Sequence, residues 1–108
     1  MTTSGWIGVD LDGTLAEYHG WNNGEIGEPV PVMLTRVVSW LANGQAVKIF
    51  TARVCGGDAE QTALIKAWCL KHIGQELEVT ATKDFAMIEL WDDRCVQVEP
   101  NTGRRISK

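Results

Sequence analysis

Two aspartates separated by one residue, Asp10 and Asp12, are the side chains of this chain best suited to chemistry. They follow the apolar run Trp6–Val9, which has the composition of a buried parallel strand. Side chains at i and i+2 of an extended segment point to the same side, so both carboxylates are predicted to face one site. One carboxylate could attack as a nucleophile, and the second could act as general acid and then as general base.

Polar residues follow each of the later strands that the sequence predicts. The four predicted strands are 6–9, 46–50, 78–81 and 86–91. Thr51, Lys83 and the pair Asp92 and Asp93 come after the last three of them. Sites in open α/β sheets lie at the carboxyl ends of the strands, so these residues are expected to converge there with Asp10. Carboxylates that share a crevice repel each other unless a cation lies between them, and oxygen ligands favour Mg²⁺ where phosphate is bound.

Helical periodicity between the strands predicts the rest of the fold. The first helix starts at Pro31 and stops at an Asn-Gly pair, and the second has Asp58 as N-cap with Gln61 as its capping-box partner. Strands that alternate with helices predict an α/β protein, a three-layer Rossmann-like fold with a mostly parallel central sheet. Residues 1–108 are expected to form one domain, and the alternating run Cys95–Val98 is expected to close it as a hairpin.

The order and spacing of these motifs resemble the haloacid dehalogenase superfamily of phosphatases. The matching segments are Asp10-Leu11-Asp12-Gly13-Thr14-Leu15, Ile49-Phe50-Thr51-Ala52-Arg53, Lys83 and Leu90-Trp91-Asp92-Asp93, and the resemblance covers residues 5 to about 98. It implies a Mg²⁺-dependent phosphatase, a phosphomonoester hydrolase that works through an aspartyl-phosphate intermediate on Asp10. The dehalogenases of the family lack an aspartate at the position of Asp12, so this chain is similar to the phosphotransferases.

The resemblance also implies a role for each acidic residue. Asp10 would be the nucleophile and a metal ligand, and Asp12 would be the general acid/base, with its backbone carbonyl also on the metal. Asp92 would be the remaining direct metal ligand. Asp93 would bind the metal through water or would pair with Lys83.

The phosphoryl group would be bound by Thr51 and Lys83, again as the resemblance implies. Arg53 is a further candidate for substrate binding because it follows the second motif, and Arg94 follows the fourth. A surface salt bridge is the alternative for both arginines.

The short segments between the motifs leave no room for a substantial cap domain, so the chain resembles the cap-less members of the family. A lid would then come from the loop 16–28 or from another subunit of a homo-oligomer. Tyr18, His19 and Trp21 of this loop could stack on a base or a sugar ring, or Trp21 could only pin the loop. The expected substrate is a phosphorylated small molecule, a nucleotide or an oligonucleotide end.

Composition excludes several other classes of function. The net charge of −4 and the pI of about 5.0 argue against a non-specific nucleic-acid binder. Three cysteines without CxxC spacing predict neither a disulfide framework nor a thiolate zinc site. The sequence has no apolar run long enough to span a membrane and no signal-peptide pattern, so a soluble, cytoplasmic protein without a membrane partner is expected.

Two other functions compete with the enzyme. A catalytically weak regulatory module of the same fold could retain metal and phosphate binding, although binding alone does not need the acid/base Asp12. A receiver-like domain also combines an acidic pocket with a threonine and a lysine. The order of the acidic residues disfavours the receiver, in which the phosphate-accepting aspartate lies on a later strand.

Overall fold

A computed structural model describes residues 4–106 of the chain. Four strands, β1 (Trp6–Val9), β2 (Ala46–Phe50), β3 (Glu78–Thr80) and β4 (Met87–Trp91), form one sheet in the order β3-β2-β1-β4. Every neighbouring pair in this sheet is parallel. The predicted strands are therefore confirmed, with β3 and β4 each one residue shorter than expected.

Two helices, α1 (Pro31–Ala42) and α2 (Ala59–His72), connect the first three strands. Pro31 occupies the first turn of α1, where its missing N–H is not needed. The carboxylate of Asp58 accepts a 3.0 Å hydrogen bond from the Gln61 backbone N–H at the start of α2, which confirms the predicted N-cap. The Gln61 side chain does not complete a capping box; it accepts a hydrogen bond from Arg53 instead.

Both helices pack on the same face of the sheet. One cluster of buried residues joins Ile7 of β1 and Ile49 of β2 to Val37 of α1 and Ile65 of α2. The Rossmann-like α/β fold is confirmed, and residues 4–106 contain no cap domain. Two successive crossovers in the same direction place both helices on the face of the sheet that carries Ile7 and Ile49.

The second face of the sheet carries Trp6, Lys48 and Phe50. The indole of Trp6 lies 6.5 Å from the Phe50 ring, and the Lys48 ammonium lies 4.5 Å from the indole. The segment 81–86 runs from β3 to β4 at the opposite edge, and on this face Trp6 Nε1 donates a 3.0 Å hydrogen bond to Asp84. The segment 81–86, called the strap below, therefore connects β3 to β4 without a third helix.

The predicted C-terminal hairpin is reduced to a single antiparallel bridge between Val98 and Arg105. A 2.7 Å hydrogen bond from Glu99 N–H to the Arg104 carbonyl and the turn at Asn101 close it. None of the helices described in residues 4–106 is long and apolar enough to cross a membrane.

Candidate active site

The carboxyl edge of the sheet carries an acidic cluster. Carboxylate oxygens of Asp10, Asp92 and Asp93 lie within 4.8 Å of one another. Asp10 directly follows β1 and its N–H donates to the Trp91 carbonyl, so the pairing of β1 with β4 holds the two strand ends together. The sheet order thus brings together carboxylates that are more than 80 positions apart in the chain.

Thr14 ties two members of this cluster to each other. Its hydroxyl lies 3.0 Å from an Asp93 carboxylate oxygen and 3.4 Å from Asp10 Oδ2, and it accepts a 2.9 Å hydrogen bond from the Asp93 N–H. Sequence reasoning assigned Thr14 no role, although its place at the end of the first motif was the available signal. Gly13 adopts φ = +91°, and a Cβ there would lie 2.8 Å from Asp93, so glycine lets the two strand ends approach.

The carboxylates of the cluster affect one another's pKa. Burial raises the pKa of Asp10 to about 7, and the hydrogen bond to Asp93 and the charges of Asp92 and Asp93 add to this effect. Burial also acts to raise the pKa of Asp93, but its hydrogen bonds with Asp10 and Thr14 outweigh burial and lower it. Burial and the neighbouring carboxylates therefore disfavour the charged form of Asp10.

Asp12 lies in the same cavity but in a different environment. Arg53 Nε donates a 2.7 Å bond to one oxygen of Asp12, and the NH2 nitrogen donates a 2.9 Å bond to the other oxygen. The Arg53 side chain is only 3% exposed and that of Asp12 is 20% exposed, so this bidentate ion pair is nearly buried. Asp12 is oriented by Arg53 and stays outside the acidic cluster, although its backbone carbonyl was the atom predicted to reach a metal.

Arg53 is placed by the turn after β2. Thr51, which is buried, accepts a 3.2 Å hydrogen bond from the Arg53 N–H and so starts the short helical turn Ala52–Val54. The remaining terminal nitrogen of Arg53, Nη1, donates a 2.7 Å hydrogen bond to the Gly24 carbonyl and a 3.1 Å hydrogen bond to Gln61 Oε1. The salt bridge considered for Arg53 is present, but it lies in the wall of the cavity and is nearly buried, not on the open surface.

The loop 16–29 folds over this arginine. Its two ends pair between Ala16 and Pro29, and Trp68 Nε1 anchors its far side by a 3.0 Å hydrogen bond to the Gly27 carbonyl. Trp21 of the loop lies with its ring 4.7 Å from the Arg53 guanidinium carbon. The loop expected to serve as a lid is thus fastened to the residue that holds Asp12.

An open cavity of about 640 Å³ joins these groups. It is lined by Asp10, Asp12, Tyr18, Trp21, Phe50, Thr51, Ala52, Arg53, Asp92, Asp93 and Arg94. Six of the seven side chains predicted for the site therefore share one cavity. Lys83 is exposed on the strap between β3 and β4 and does not line it, and the ion pairs of residues 4–106 do not join Lys83 to Asp93.

Arg94 is a cationic side chain in the cavity, where Lys83 was expected to bind the phosphoryl group. It lines the cavity, is exposed, and its charge acts on Asp93. Within residues 4–106 its side chain makes no ion pair, whereas that of Arg53 is committed to Asp12. The side chain of Arg94 is thus available for an anionic group in the cavity.

Fold and site together describe a small α/β domain with a Rossmann-like parallel sheet and an acidic centre at its carboxyl edge. The chain is similar to the structure of a conserved protein coded by a locus of Bacteroides thetaiotaomicron. The two share 20% identity and a TM-score of 0.66 over 87% of this chain and 79% of that chain, a likeness that concerns the fold alone. No protein-family model and no curated protein matches the sequence.

Proposed function

We propose that this protein is a Mg²⁺-dependent phosphomonoester hydrolase of the haloacid dehalogenase type that forms an aspartyl-phosphate on Asp10. The observation that carries the proposal is the convergence of Asp10, Asp92 and Asp93 in one cavity with a separately oriented Asp12. A binding site for a cation alone would not need the fourth carboxylate to be held in a fixed direction by a buried arginine.

The donor set fits Mg²⁺. Asp10, Asp92 and Asp93 offer carboxylate oxygens only, close enough together to contact one ion, and hard oxygen ligands suit Mg²⁺. Bound Mg²⁺ would supply positive charge that offsets these carboxylates and the oxygens of the phosphoryl group.

The side chains of the chain would divide the reaction between them. A carboxylate oxygen of Asp10 forms a bond to phosphorus while the bond from phosphorus to the ester oxygen breaks, and Asp12 gives that oxygen its proton. Water then attacks the phosphorus, Asp12 takes the proton of the water, and the bond between phosphorus and Asp10 breaks. The Thr51 hydroxyl and the Arg94 guanidinium line the cavity where phosphoryl oxygens would lie.

Binding of the phosphoryl group by Lys83, a cytoplasmic location and a lid from a second subunit remain predictions. The strap that carries Lys83 starts at the carboxyl end of β3, the same edge of the sheet as the cavity. Lys83 would therefore contact the substrate only after the substrate has bound, and would not be a fixed part of the cavity.

The Arg53 pair favours one alternative, the catalytically weak module that binds metal and phosphate for regulation. Both oxygens of Asp12 accept hydrogen bonds from Arg53, so this side chain has a structural partner whether or not it takes part in a reaction. Each oxygen keeps a second lone pair, so Asp12 can still accept the proton of water. The two functions differ in whether phosphate is released at a steady rate.

The test is phosphate release from p-nitrophenyl phosphate and from a panel of nucleotides, sugar phosphates and phosphoamino acids, with Mg²⁺ and with EDTA. We expect turnover that needs Mg²⁺ and that Asp10→Asn abolishes, whereas Glu76→Gln, an exposed carboxylate outside the cavity, leaves it unchanged. The absence of hydrolysis of every substrate by the wild-type protein with Mg²⁺ would contradict the enzyme. If Mg²⁺ with beryllium fluoride then raised the melting temperature, the regulatory module would be the better account.

A further inference from the structure

Trp21 presents a flat aromatic surface beside the acidic cluster. The residue is 52% exposed although it lies at the wall of the cavity. One side of its ring is covered, because the Arg53 guanidinium carbon lies 4.7 Å from the ring centre. Arg53 and the backbone at Gly24 cover part of the indole, and the half that remains exposed borders the cavity, where a second planar group can stack.

The indole is held in place from below. The Arg53 side chain is almost completely buried and donates hydrogen bonds to Asp12, to the Gly24 carbonyl and to Gln61. The Trp21 ring is therefore already held by Arg53 before a ligand binds. A ring that stacks on Trp21 does not have to immobilise it, which lowers the entropic cost of binding. The same guanidinium links this surface to the carboxylate proposed as acid/base.

Two more aromatic side chains widen the surface. Tyr18, 47% exposed, and the half-buried Phe50 line the cavity together with Trp21. Asp12 is paired with Arg53, and Asp10, Asp92 and Asp93 are grouped where a cation fits. The cavity therefore offers few free carboxylates to bind the hydroxyl groups of a sugar, and its aromatic side chains are the larger contact surface for a substrate. A volume of about 640 Å³ exceeds what a phosphate group needs and lies within the range of ligand sites.

We propose that the substrate is a phosphomonoester that carries a nucleobase, with the base stacked on Trp21 and the phosphate at Asp10. The inference rests on the proposed function for the position of the phosphate, and on Trp21, Tyr18 and Phe50 for the base. Free nucleotides and the phosphorylated end of a nucleic acid share this chemistry. Stacking on an aromatic side chain accepts any base, so a preference among the four bases is not expected.

The test compares adenosine 5′-monophosphate with ribose 5-phosphate, which has the same phosphate and sugar but no base. We expect kcat/KM with Mg²⁺ to be roughly tenfold higher for the nucleotide, about 1.4 kcal/mol, within the range for stacking of one base. In Trp21→Leu the ratio of the two values should fall towards one, and in Trp21→Phe most of it should remain. Phe85→Leu, which changes a fully exposed aromatic residue outside the cavity, should leave the ratio as it is.

Equal values of kcat/KM for the two substrates, or a ratio that Trp21→Leu does not change, would overturn the inference. A third substrate, a short oligoadenylate with a 5′-phosphate, distinguishes nucleic-acid ends from free nucleotides by whether its kcat/KM exceeds that of the mononucleotide. If nothing is hydrolysed, the proposed function fails separately, and calorimetric titration of the Mg²⁺-loaded protein with the same pair decides the inference. Tighter binding of the nucleotide then supports it, and equal binding refutes it.

Discussion

The buried ion pair between Arg53 and Asp12 is expected to contribute strongly to stability. Arg53→Met keeps most of the side-chain volume but leaves the Asp12 carboxylate and the Gly24 carbonyl without their donors. Removing one partner of a buried ion pair costs about 3–5 kcal/mol. Because the Asp12 side chain is 20% exposed and can regain some hydration, we expect a loss of about 3 kcal/mol in the free energy of unfolding.

Urea unfolding followed by far-ultraviolet circular dichroism measures this loss, with Arg94→Met as the matched control. Arg94 lines the same cavity but makes no ion pair within residues 4–106, so its replacement should change stability by no more than about 0.5 kcal/mol. Asp12→Asn and the double variant complete a thermodynamic cycle. If the two single losses add to within about 0.5 kcal/mol, or if Arg53→Met costs no more than Arg94→Met, the pair does not have the role described here.

Two further predictions concern the acidic cluster. Burial and the neighbouring Asp93 and Asp92 raise the pKa of Asp10 from 3.8 to about 7, so in EDTA the folded protein retains a proton that the unfolded chain releases. The contribution of Asp10 to stability in EDTA should therefore be largest below about pH 4 and be lost as the pH rises through 7, which appears as a pH-dependent difference between the wild type and Asp10→Asn. Asp10 is partly exposed, so the loss of its contribution to the free energy of unfolding should be on the order of 1–2 kcal/mol. Melting curves at several pH values measure it, and saturating Mg²⁺ should suppress it. A difference between the wild type and Asp10→Asn that does not change with pH in EDTA would contradict the raised pKa. Gly13→Ala should weaken Mg²⁺ binding in calorimetry more than Gly57→Ala does, since both glycines have positive φ but only at Gly13 would a Cβ meet Asp93; equal effects would show that strain alone matters.

The elements of the fold were predictable because their signals are local. The apolar run before Asp10, the proline at the start of α1 and the cap at Asp58 each act within a few residues. The convergence of Asp10 with Asp92 was also predictable, since parallel strands place their carboxyl ends at one edge. Local patterns do not indicate that both helices pack on one face of the sheet, because this depends on the direction of successive crossovers.

The contacts of Arg53 could not be predicted from the sequence. Its partners Asp12 and Gly24 lie 41 and 29 positions away, and no local pattern marks a long-range ion pair. The position of Lys83 could not be predicted either. Its place in the order of the motifs indicated a site residue, but the segment 81–86 that carries it leaves it outside the cavity. Residue type and order therefore predicted which groups the site holds, but not how they are paired.

The most direct test of the central claim is the covalent state of Asp10. Protein incubated with Mg²⁺ and p-nitrophenyl phosphate is quenched in acid, reduced with borohydride and mapped by peptide mass spectrometry. We predict that the acyl-phosphate is trapped at Asp10, that EDTA abolishes it, and that Asp12→Asn increases its amount because the second step loses its base. Phosphate release without any adduct at position 10, or an adduct at another residue, would contradict the account.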